Sequence, residues 1–513
     1  MATSRSTARQ VLLIDCGSSA VRAYVAEVGP GKRSAILEDL SRDIDLTEGL
    51  RGGRLSRAAM NAVEEAVRDI LASAASYGAE IGRAVGTASL REAINSDVLV
   101  ERLRVQCGIA LEVIDTAEET RLYYEALRQL QQRCKHRLSG GAMLMDVGSG
   151  TSALGLIKGG KLVHAVDEHF GTDRLLHAFR SLRDATSFSS AIDRVTAGAV
   201  SMILSRLPKA RIRNLVVTGD EIRDLALRLA PGDVGEMVSV PLTEIEAWWQ
   251  SVAGLTPAAR AAACNCSLFE GSQLLMAAAL LRHLALQTGN DEVLVPRLRL
   301  RDGMLADCLP GAQGPHHLGR NQLLGAAAEL ARRYGMDLPY AENTASLAAQ
   351  IFDQSTELHH LGERERTLLE FAAWVHDVGA SINVRGRHKH SYYMIQALDI
   401  AGLSAEEKSV VAHVARYHRR STPKISHAAF QRLPRTTRVV ISHLAAILRI
   451  AYALDVERTQ RIRSVHCQLT EDALVIGVDR RDIALERWAV SDKSAMFADV
   501  FGLDVKLRPL GDT

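Results

Sequence analysis

Two segments of the chain repeat one pattern, and this repetition constrains the possible fold more than any other feature. Residues 11–28 and 142–166 each predict a strand that ends in an aspartate, a turn of small residues, and further apolar strands. Each segment is followed by alternating helix and strand patterns. The repetition therefore predicts an internal duplication of an α/β unit.

Four domains follow from this pattern and from the connecting segments. The stretch LPGAQGP (309–315) combines prolines and glycines and predicts a linker. Beyond it the pattern is helical until the 460s, where apolar runs at 474–478 and 504–509 predict strands. The predicted domains are a first α/β lobe (1–138), a second α/β lobe (139–310), a helical domain (311–460) and a small α+β tail (461–513).

Composition excludes several classes of partner. A net charge of +2 and 4% aromatic residues give no basis for a nucleic-acid coat, a membrane coat or a base-stacking surface. The N-terminal residues and the apolar runs predict neither export nor a membrane span. The seven cysteines are scattered, which favours reduced thiols. The sequence predicts a cytoplasmic protein without a membrane or a specific nucleic-acid partner.

The two turns carry residue types that suit phosphate. Glycines let the backbone N–H groups approach an anion, hydroxyls add donors, and an aspartate at the strand end can hold a divalent cation. One such turn is more often a structural hairpin, but two copies in a duplicated unit predict a two-sided phosphate clamp. The candidate phosphate-binding residues are Asp15, Gly17, Ser18, Gly148, Ser149, Gly150, Thr151 and Ser152.

Several motifs in order resemble the exopolyphosphatase/guanosine pentaphosphate phosphohydrolase (Ppx/GppA) family of the actin/Hsp70/sugar-kinase superfamily. The resemblance implies a duplicated, actin-like (ribonuclease H-like) two-lobed α/β domain, then an α-helical HD-like domain and a small strand-containing tail. The motifs that carry it are IDCGSSAVRAYVAEV (14–28), GTASLREAIN (86–95), GIALEVIDTAEETRLYYEAL (108–127), MDVGSGTSALGLI (145–157), LRDGML (300–305), AAWVHDVGASI (372–382), HKHSYYMI (388–395) and VARYHRRSTPK (414–424).

The resemblance also implies a reaction and the residues that perform it. It implies Mg²⁺-dependent release of the terminal phosphate from inorganic polyphosphate or pppGpp in the interlobe cleft, by a homodimeric enzyme. Glu119 corresponds to the general base, Arg91 to a phosphate-binding arginine and Asp146 to the metal-associated aspartate. Without the resemblance, the alternative interpretation is that Glu119 pairs with a lysine or arginine on a helix surface and that Arg91 is a solvated residue at the start of a helix.

Three segments depart from the family pattern. The second loop of the family reads D-I-G-G-G-S-T-E, whereas this chain has Ser149 for the middle glycine and Ala153 for the closing glutamate. Asp220 replaces a glycine, and Glu270 falls where an arginine is common. Each change is expected to weaken metal or anion binding. Phosphate binding is therefore a safer prediction than turnover.

The helical domain resembles an HD-type metallohydrolase but lacks two of its ligands. His376, Asp377, His390, His413 and His418 match the pattern, whereas Thr344 and Tyr452 stand where metal ligands are expected. The sequence favours an HD-like scaffold in which His376 and Asp377 serve packing and hydrogen bonding. The basic segment 416–424 is suited to track a polyphosphate, or else is a solvated helix end.

The leading hypothesis is thus a phosphohydrolase that uses Glu119, Asp146, Arg91 and the two turns. A non-catalytic relative that binds polyphosphate or a guanosine alarmone is the alternative, and Ala153 and Asp220 favour it. A sugar or acetate kinase would need an adenosine pocket near residues 218–226, where Asp220 is unfavourable.

Overall fold

The computed structural model describes residues 8–510 except 31–33, 52, 134–137, 139, 149, 169, 173–174, 177–187, 209–210, 233–234, 311 and 313. The chain forms two compact units, of which unit 1 extends to His317 and unit 2 begins at Leu318.

The first sheet of unit 1 has a three-stranded meander at one side and parallel strands at the other. Its strands are β1 (Arg9–Cys16), β2 (Ala20–Val28), β3 (Ser34–Asp43), β6 (Glu80–Gly86) and β7 (Leu111–Val113), in the order β3-β2-β1-β6-β7. The pairs β1–β2 and β2–β3 are antiparallel, whereas β1–β6 and β6–β7 are parallel. A short hairpin of β4 (Leu50–Arg51) and β5 (Arg54–Leu55) lies outside this sheet.

The second sheet repeats this order and adds one strand. Its strands are β8 (Ala142–Val147), β9 (Ser152–Lys158), β10 (Lys161–Glu168), β11 (Asn214–Thr218), β12 (Met237–Pro241) and β13 (Glu292–Pro296), in the order β10-β9-β8-β11-β13-β12. β8, β9 and β10 form the meander, β11 and β13 continue in parallel, and β12 adds an antiparallel edge. The predicted pair of α/β lobes is therefore confirmed.

Helices cover both sheets of unit 1. Ser56 caps the helix that follows it, because its hydroxyl accepts a hydrogen bond from the Ala59 backbone N–H. The helices of unit 1 are α1 (Leu46–Gly49), α2 (Arg57–Ala75), α3 (Ala88–Glu92), α4 (Ser96–Cys107), α5 (Thr116–Arg133), α6 (Phe188–Arg206), α7 (Asp220–Leu229), α8 (Leu242–Ala253), α9 (Pro257–Cys264), α10 (Leu268–Thr288) and α11 (Leu300–Asp307).

Helices α5 and α11 cross closely, and the crossing fixes α5 in place. A Cβ atom at Gly303 of α11 would lie 2.1 Å from the Leu122 carbonyl oxygen of α5, so only glycine fits there. Leu122, Met304 and Leu305 pack in one cluster with the buried residues of β1. α11 follows the second sheet in sequence but packs beside the first. This crossing positions the cleft-facing residues of α5.

Unit 2 is helical up to Leu454 and ends in a small three-stranded sheet, which confirms a helical region with a strand-containing tail. Its elements are α12 (Arg320–Arg333), α13 (Leu338–Gln354), α14 (Thr356–His359), α15 (Glu363–Val375), α16 (Arg387–Ala397), α17 (Ala405–Tyr417), α18 (Ala428–Gln431), α19 (Arg435–Leu454), β14 (His466–Leu469), β15 (Ala473–Val478), α20 (Ala484–Lys493), α21 (Ala495–Phe501) and β16 (Asp504–Pro509). Helix α19 is long and apolar enough to cross a membrane, but most of it is buried inside the unit, as in the core helix of a globular protein.

Candidate phosphate-binding and catalytic site

The two small-residue turns of unit 1 have matching backbone geometry. The Gly17 N–H donates to the Ala20 carbonyl at 3.0 Å, and the Gly148 N–H donates to the Thr151 carbonyl at 3.0 Å. A Cβ atom at Gly148 would lie 2.8 Å from the latter oxygen, so the second turn requires glycine. The repeat predicted from the sequence is thus reproduced in the hydrogen bonds of the turns.

Both turns open into one cavity of about 430 Å³. The cavity wall also includes Glu119 of α5 and the strand-end residues Asp15 and Asp146. Carboxylates and turn residues therefore face the same cavity. The predicted site residues that line the cavity are Asp15, Gly17, Ser18, Glu119, Asp146, Gly148, Gly150 and Thr151.

Three predicted residues have other positions. Ser149 lies outside the described residues. The Ser152 hydroxyl is buried and donates to the Phe170 carbonyl at 2.6 Å. Arg91 does not line the cavity, and its Nη1 donates to the Ile114 carbonyl at 3.0 Å and to Glu119 Oε2 at 3.1 Å. Its buried Nη2 has no hydrogen-bond partner among the described residues.

The start of α5 brings Glu119 into the cleft. Asp115 begins this helix because its carboxylate accepts the Glu118 backbone N–H at 2.9 Å. Glu119 is 9% exposed, and the Arg91 guanidinium holds its carboxylate. Glu119 thus pairs with an arginine, as the alternative interpretation expected, but the pair is largely buried and does not lie on a solvated helix surface.

The floor of the cavity concentrates carboxylates. Burial raises the pKa of Asp15. Burial, followed by the negative charge of Glu119, raises the pKa of Asp146 well above its usual value. Asp15 Oδ1 is buried and has no hydrogen-bond partner within the part of the chain that is described. Because carboxylate oxygens are the ligands that a hard divalent ion prefers, the donor set of Asp15, Glu119 and Asp146 fits Mg²⁺.

Tyr123 is a site residue that the sequence analysis missed. It lies one helical turn after Glu119 on α5, lines the cavity, and hydrogen-bonds through its hydroxyl to Asp146. Burial, and then the charges of Asp146, Glu119 and Asp15, raise its pKa well above the usual value. The i, i+4 spacing from Glu119 was the signal available in the sequence.

Ala153 lies directly opposite Asp146 in the β8–β9 ladder, so the two side chains share one face of the sheet. Helix α5 covers this face, since a Cβ atom at Gly155 would lie 2.8 Å from Thr120 Cγ2. In the first sheet the position equivalent to Ala153 is Arg22, which pairs with Asp15 in the β1–β2 ladder. A longer side chain at 153 would point toward the carboxylates and Tyr123.

Cations line the rim of the cavity, and Asp220 neutralises part of their charge. Arg22 Nη2 lies 2.9 Å from Asp220 Oδ2, and Arg223 bonds the other oxygen. Burial alone would raise the pKa of Asp220, but Arg223 and Arg22 lower it, so the carboxylate is ionised. Asp220 is therefore expected to weaken the binding of a polyanion in two ways. Its charge repels the anion, and it occupies two arginines that could otherwise bind phosphate.

Replacing Asp220 with asparagine is expected to tighten the binding of inorganic polyphosphate, used as a probe, by about threefold at low salt, because two guanidiniums become available to the anion. The effect should shrink as salt rises. Calorimetric titration measures it, and Asp224→Asn on the same helix, where Asp224 pairs with Arg228, is the matched control. Weaker binding by Asp220→Asn would instead show that this carboxylate positions the arginines for the anion.

Arg301 and Glu270 also differ from expectation. Arg301 is buried, stacks over the Tyr24 ring at 4.4 Å, and places Nη1 3.9 Å from Asp15 Oδ2. Arg301 lines the cavity; the sequence analysis recognised the motif that contains it but assigned it no role.

Glu270 caps helix α10 through reciprocal hydrogen bonds with Ser267 and does not line the cavity. Its predicted effect on anion binding has no direct contact to support it.

In unit 2, His376, Asp377 and His418 place potential ligand atoms within 4.8 Å of one another. Arg387 Nε and Arg458 Nη2 each lie 2.6 Å from an Asp377 oxygen, and the Tyr452 hydroxyl accepts from Arg387 at 3.3 Å. Two guanidiniums therefore supply positive charge beside Asp377. This arrangement agrees with a hydrogen-bonded scaffold.

The remaining histidines of the HD pattern lie elsewhere. His413 Nδ1 is 2.8 Å from the Ser409 carbonyl, and burial lowers the pKa of His413 to about 4. His413 and His390 are not part of the cluster around Asp377. The HD-type assignment of unit 2 stays a prediction.

Replacing Asp377 with asparagine is expected to destabilise unit 2 by about 3 kcal/mol, because it leaves two partly buried guanidiniums without their counter-charge. Denaturant unfolding of the full chain measures this change. Asp353→Asn, which removes a more exposed partner of Arg366, is the control and should cost about 0.5 kcal/mol. The loss caused by Asp377→Asn should be the same with and without chelator; a loss that vanishes on chelation would show that a metal, and not arginine, balances Asp377.

The duplicated two-lobed fold and the cleft with paired turns and carboxylates define an actin-like fold with a candidate phosphate site. The chain belongs to the Ppx/GppA phosphatase family, whose family model matches residues 24–310. The model of Ppx/GppA phosphatase domain III matches residues 325–488.

Relatives span most of the chain. A guanosine-5'-triphosphate,3'-diphosphate pyrophosphatase of Aeromonas hydrophila is 26% identical over 487 residues, covering 90% of this chain and 91% of its own. The protein of the same name from Photobacterium profundum is 23% identical, covering 85% and 86%. A solved Ppx/GppA family member from Aquifex aeolicus matches with a TM-score of 0.51 and 20% identity, covering 58% of this chain and 97% of its own. The structural match supports the fold.

Proposed function

We propose that the cleft of unit 1 hydrolyses the terminal phosphoanhydride bond of inorganic polyphosphate or pppGpp in an Mg²⁺-dependent reaction. The observation that carries the proposal is that both turns, Glu119 and Asp146 line a single cavity of about 430 Å³. The names of the relatives, which denote a pyrophosphatase acting on a guanosine polyphosphate, support the same chemistry. As the resemblance implies, the proposal includes a cytoplasmic location and a homodimer.

The residues of the chain divide the work in this proposal. The backbone N–H groups and hydroxyls of the two turns bind phosphate oxygens, and the arginines at the rim orient the phosphate chain of the substrate. Glu119, held by Arg91, accepts a proton from the attacking water as a new P–O bond forms. The anhydride P–O bond breaks, and the shortened phosphate leaves. A bound Mg²⁺, held by Asp146 with Asp15 nearby, would neutralise charge on the phosphate oxygens.

The test is phosphate release from long-chain polyphosphate and from pppGpp, with Mg²⁺ and after chelation. We expect release from at least one substrate, and its loss with chelator. A wild-type chain that binds polyphosphate but releases no phosphate would overturn the enzyme proposal. It would support the alternative, a non-catalytic regulator that binds polyphosphate or a guanosine alarmone.

The alternative is favoured by one observation, the small side chain at Ala153 opposite Asp146. If the missing carboxylate limits turnover, Ala153→Glu is expected to lower the Mg²⁺ concentration for half-maximal activity by about tenfold. Ala153→Gln has the same size without the charge and is the control. Equal effects of both variants would trace the change to packing against Tyr123, and no activity in either would favour the binding-only alternative.

A further inference from the structure

Unit 2 contains two stretches of sequence without acidic residues. Residues 408–454 include nine lysines and arginines and no aspartate or glutamate, and residues 378–398 include three basic residues of these types and no acidic one. The net charge of +2 is a sum over the whole chain, in which acidic residues elsewhere offset this local excess. A nearly neutral chain can therefore carry a strongly basic surface, which its net charge does not reveal.

The fold brings the two stretches together. Helices α16 and α17, which carry much of them, pack against each other. The loop before α16 and the loop after α17 line one cavity of about 570 Å³. The first loop contributes Val384 and Arg385, and the second contributes Arg419 and Arg420. Arginines that are distant in the sequence thus face the same space.

Two histidines show how far the positive charge extends. Burial and four neighbouring cations lower the pKa of His388 to about 4, and in order of effect these cations are Arg419, Lys389, Arg416 and Arg420. Burial and three cations also lower the pKa of His427, and these are Arg416, Lys424 and Lys389. Because Lys389 and Arg416 act on both histidines, the cavity and the loop that contains Lys424 belong to one continuous surface.

This surface, the basic face, is not neutralised by the protein itself. Arg387, at the start of α16, spends its charge on Asp377. Within the described part of the chain, by contrast, the side chains of the basic face form no ion pair. They are Arg385, Lys389, Arg416, Arg419, Arg420 and Lys424. Cations collected on one surface without counter-charges indicate an anionic partner.

Large apolar side chains project from the same elements. Ile382 and Val384, before α16, are 59% and 64% exposed. Ile425, directly after Lys424, is 68% exposed. Tyr393, which follows Lys389 by one turn of α16, is 64% exposed. Exposed apolar side chains among lysines and arginines are typical of surfaces that enter the headgroup region of an anionic bilayer.

Two other occupants match this face less well. A soluble polyanion such as inorganic polyphosphate would bind the arginines, but it gains nothing from the exposed apolar side chains. A second copy of the chain, meeting the same face across a two-fold axis, would bring two sets of cations together. A bilayer with anionic headgroups offers phosphates to the guanidiniums and an apolar boundary to the aliphatic side chains.

We propose that the basic face docks unit 2 on the surface of a bilayer that contains anionic phospholipids. Arg385, Arg419 and Arg420 contact the lipid phosphates. Val384 and Ile425 enter the boundary between the headgroups and the acyl chains. The docking is peripheral and reversible, since it buries few apolar side chains. It is independent of the phosphate chemistry proposed for unit 1.

The test is co-sedimentation of the full chain with vesicles of phosphatidylcholine, alone or with an equal part of phosphatidylglycerol. We expect binding to the phosphatidylglycerol vesicles to be at least about tenfold tighter and to weaken as salt rises. The double variant Val384→Ser and Ile425→Ser keeps every charge and should weaken this binding about tenfold, because two aliphatic side chains no longer enter the bilayer. Val98→Ser with Val105→Ser, at positions 50% and 61% exposed on α4, is the matched control and should bind like the wild type.

A second probe, inorganic polyphosphate, separates lipid docking from simple attraction of polyanions. Calorimetric titration should show that the serine variant binds polyphosphate as the wild type does. Arg419→Gln with Arg420→Gln should weaken vesicle binding at least as much as the serine variant. Polyphosphate binding that depends on these two arginines, with no sedimentation on phosphatidylglycerol vesicles, would overturn the proposal in favour of a soluble polyanion. Equal vesicle binding by the serine variant and the wild type would also overturn it, because charge alone would then account for the attachment.

Discussion

Replacing Glu119 with glutamine is expected to lower kcat for phosphate release about a thousandfold while polyphosphate still binds. The amide keeps the size of the side chain but cannot accept the proton of the attacking water, and a general base contributes about 10²- to 10⁴-fold to a rate. Glu119 lines the cavity, is largely buried, and is held by Arg91. Because the turns that bind phosphate are unchanged, KM should change far less than kcat.

Steady-state phosphate release and a separate polyphosphate-binding assay measure this split. Glu125→Gln is a suitable control, since Glu125 lies on the same helix, is equally buried, and pairs with Arg128 rather than lining the cavity. The control should retain most of the activity. A Glu119→Gln chain that keeps more than about a tenth of the wild-type rate would exclude Glu119 as the general base.

The adjacent Glu118 has a structural role, as its burial and its arginine partners show. Burial alone would raise the pKa of Glu118, but the guanidiniums of Arg121 and Arg83 lower it to about 2. Arg121 is fully buried and bonds both Glu118 and Asp307 of α11. One carboxylate of the Glu-Glu pair thus ties α5 to α11, and the other is left in the cleft. The sequence alone could not separate these roles, because Arg83 and Asp307, which complete the network around Glu118 and Arg121, come from distant segments.

The duplicated fold was predictable because its signals are local. A strand ending in Asp, a glycine turn and an apolar return strand occur together within a short stretch of sequence. This pattern can be recognised twice, at residues 11–28 and 142–166. The Ser56 cap and the start of α5 near Thr116 are likewise local. Strand β12 (Met237–Pro241) was missed because it is a short edge strand, paired with a partner more than 50 residues later in the chain.

The site was predictable only for residues inside the two turns and the recognised motifs. Tyr123 and Arg22 lie inside recognised motifs, but only the packing of α5 and β2 shows that they line the cavity, and Arg223 lines it from α7. The Asp220 substitution could be noticed in the sequence, but its two arginine partners could not. The charge of the rim depends on ion pairs between residues that are distant in the sequence. The sequence showed the negative charge of Asp220 but not the two arginines that neutralise it.

Replacing Asp146 with asparagine is expected to reduce phosphate release at least about a thousandfold and to abolish its stimulation by Mg²⁺. Asp146 lies near the end of β8, just before the second turn, and lines the cavity together with Glu119, so its charge is a candidate to hold the cation. Asparagine keeps the shape and the hydrogen bond from Tyr123 but removes the charge. Phosphate release across an Mg²⁺ titration measures the effect, and Asp97→Asn on α4, which does not line the cavity, is the control.

A stability measurement separates a functional role of Asp146 from a structural one. Burial and the charge of Glu119 raise the pKa of Asp146, so the ionised carboxylate is penalised in the folded, metal-free chain above the ordinary carboxyl range. Neutral asparagine removes this penalty, and metal-free Asp146→Asn should therefore melt at a higher temperature than the wild type at pH 7.5. Lost activity with raised stability is the signature of a charge kept for metal and phosphate. Lost activity with lowered stability would show instead that Asp146 maintains the fold of the cleft.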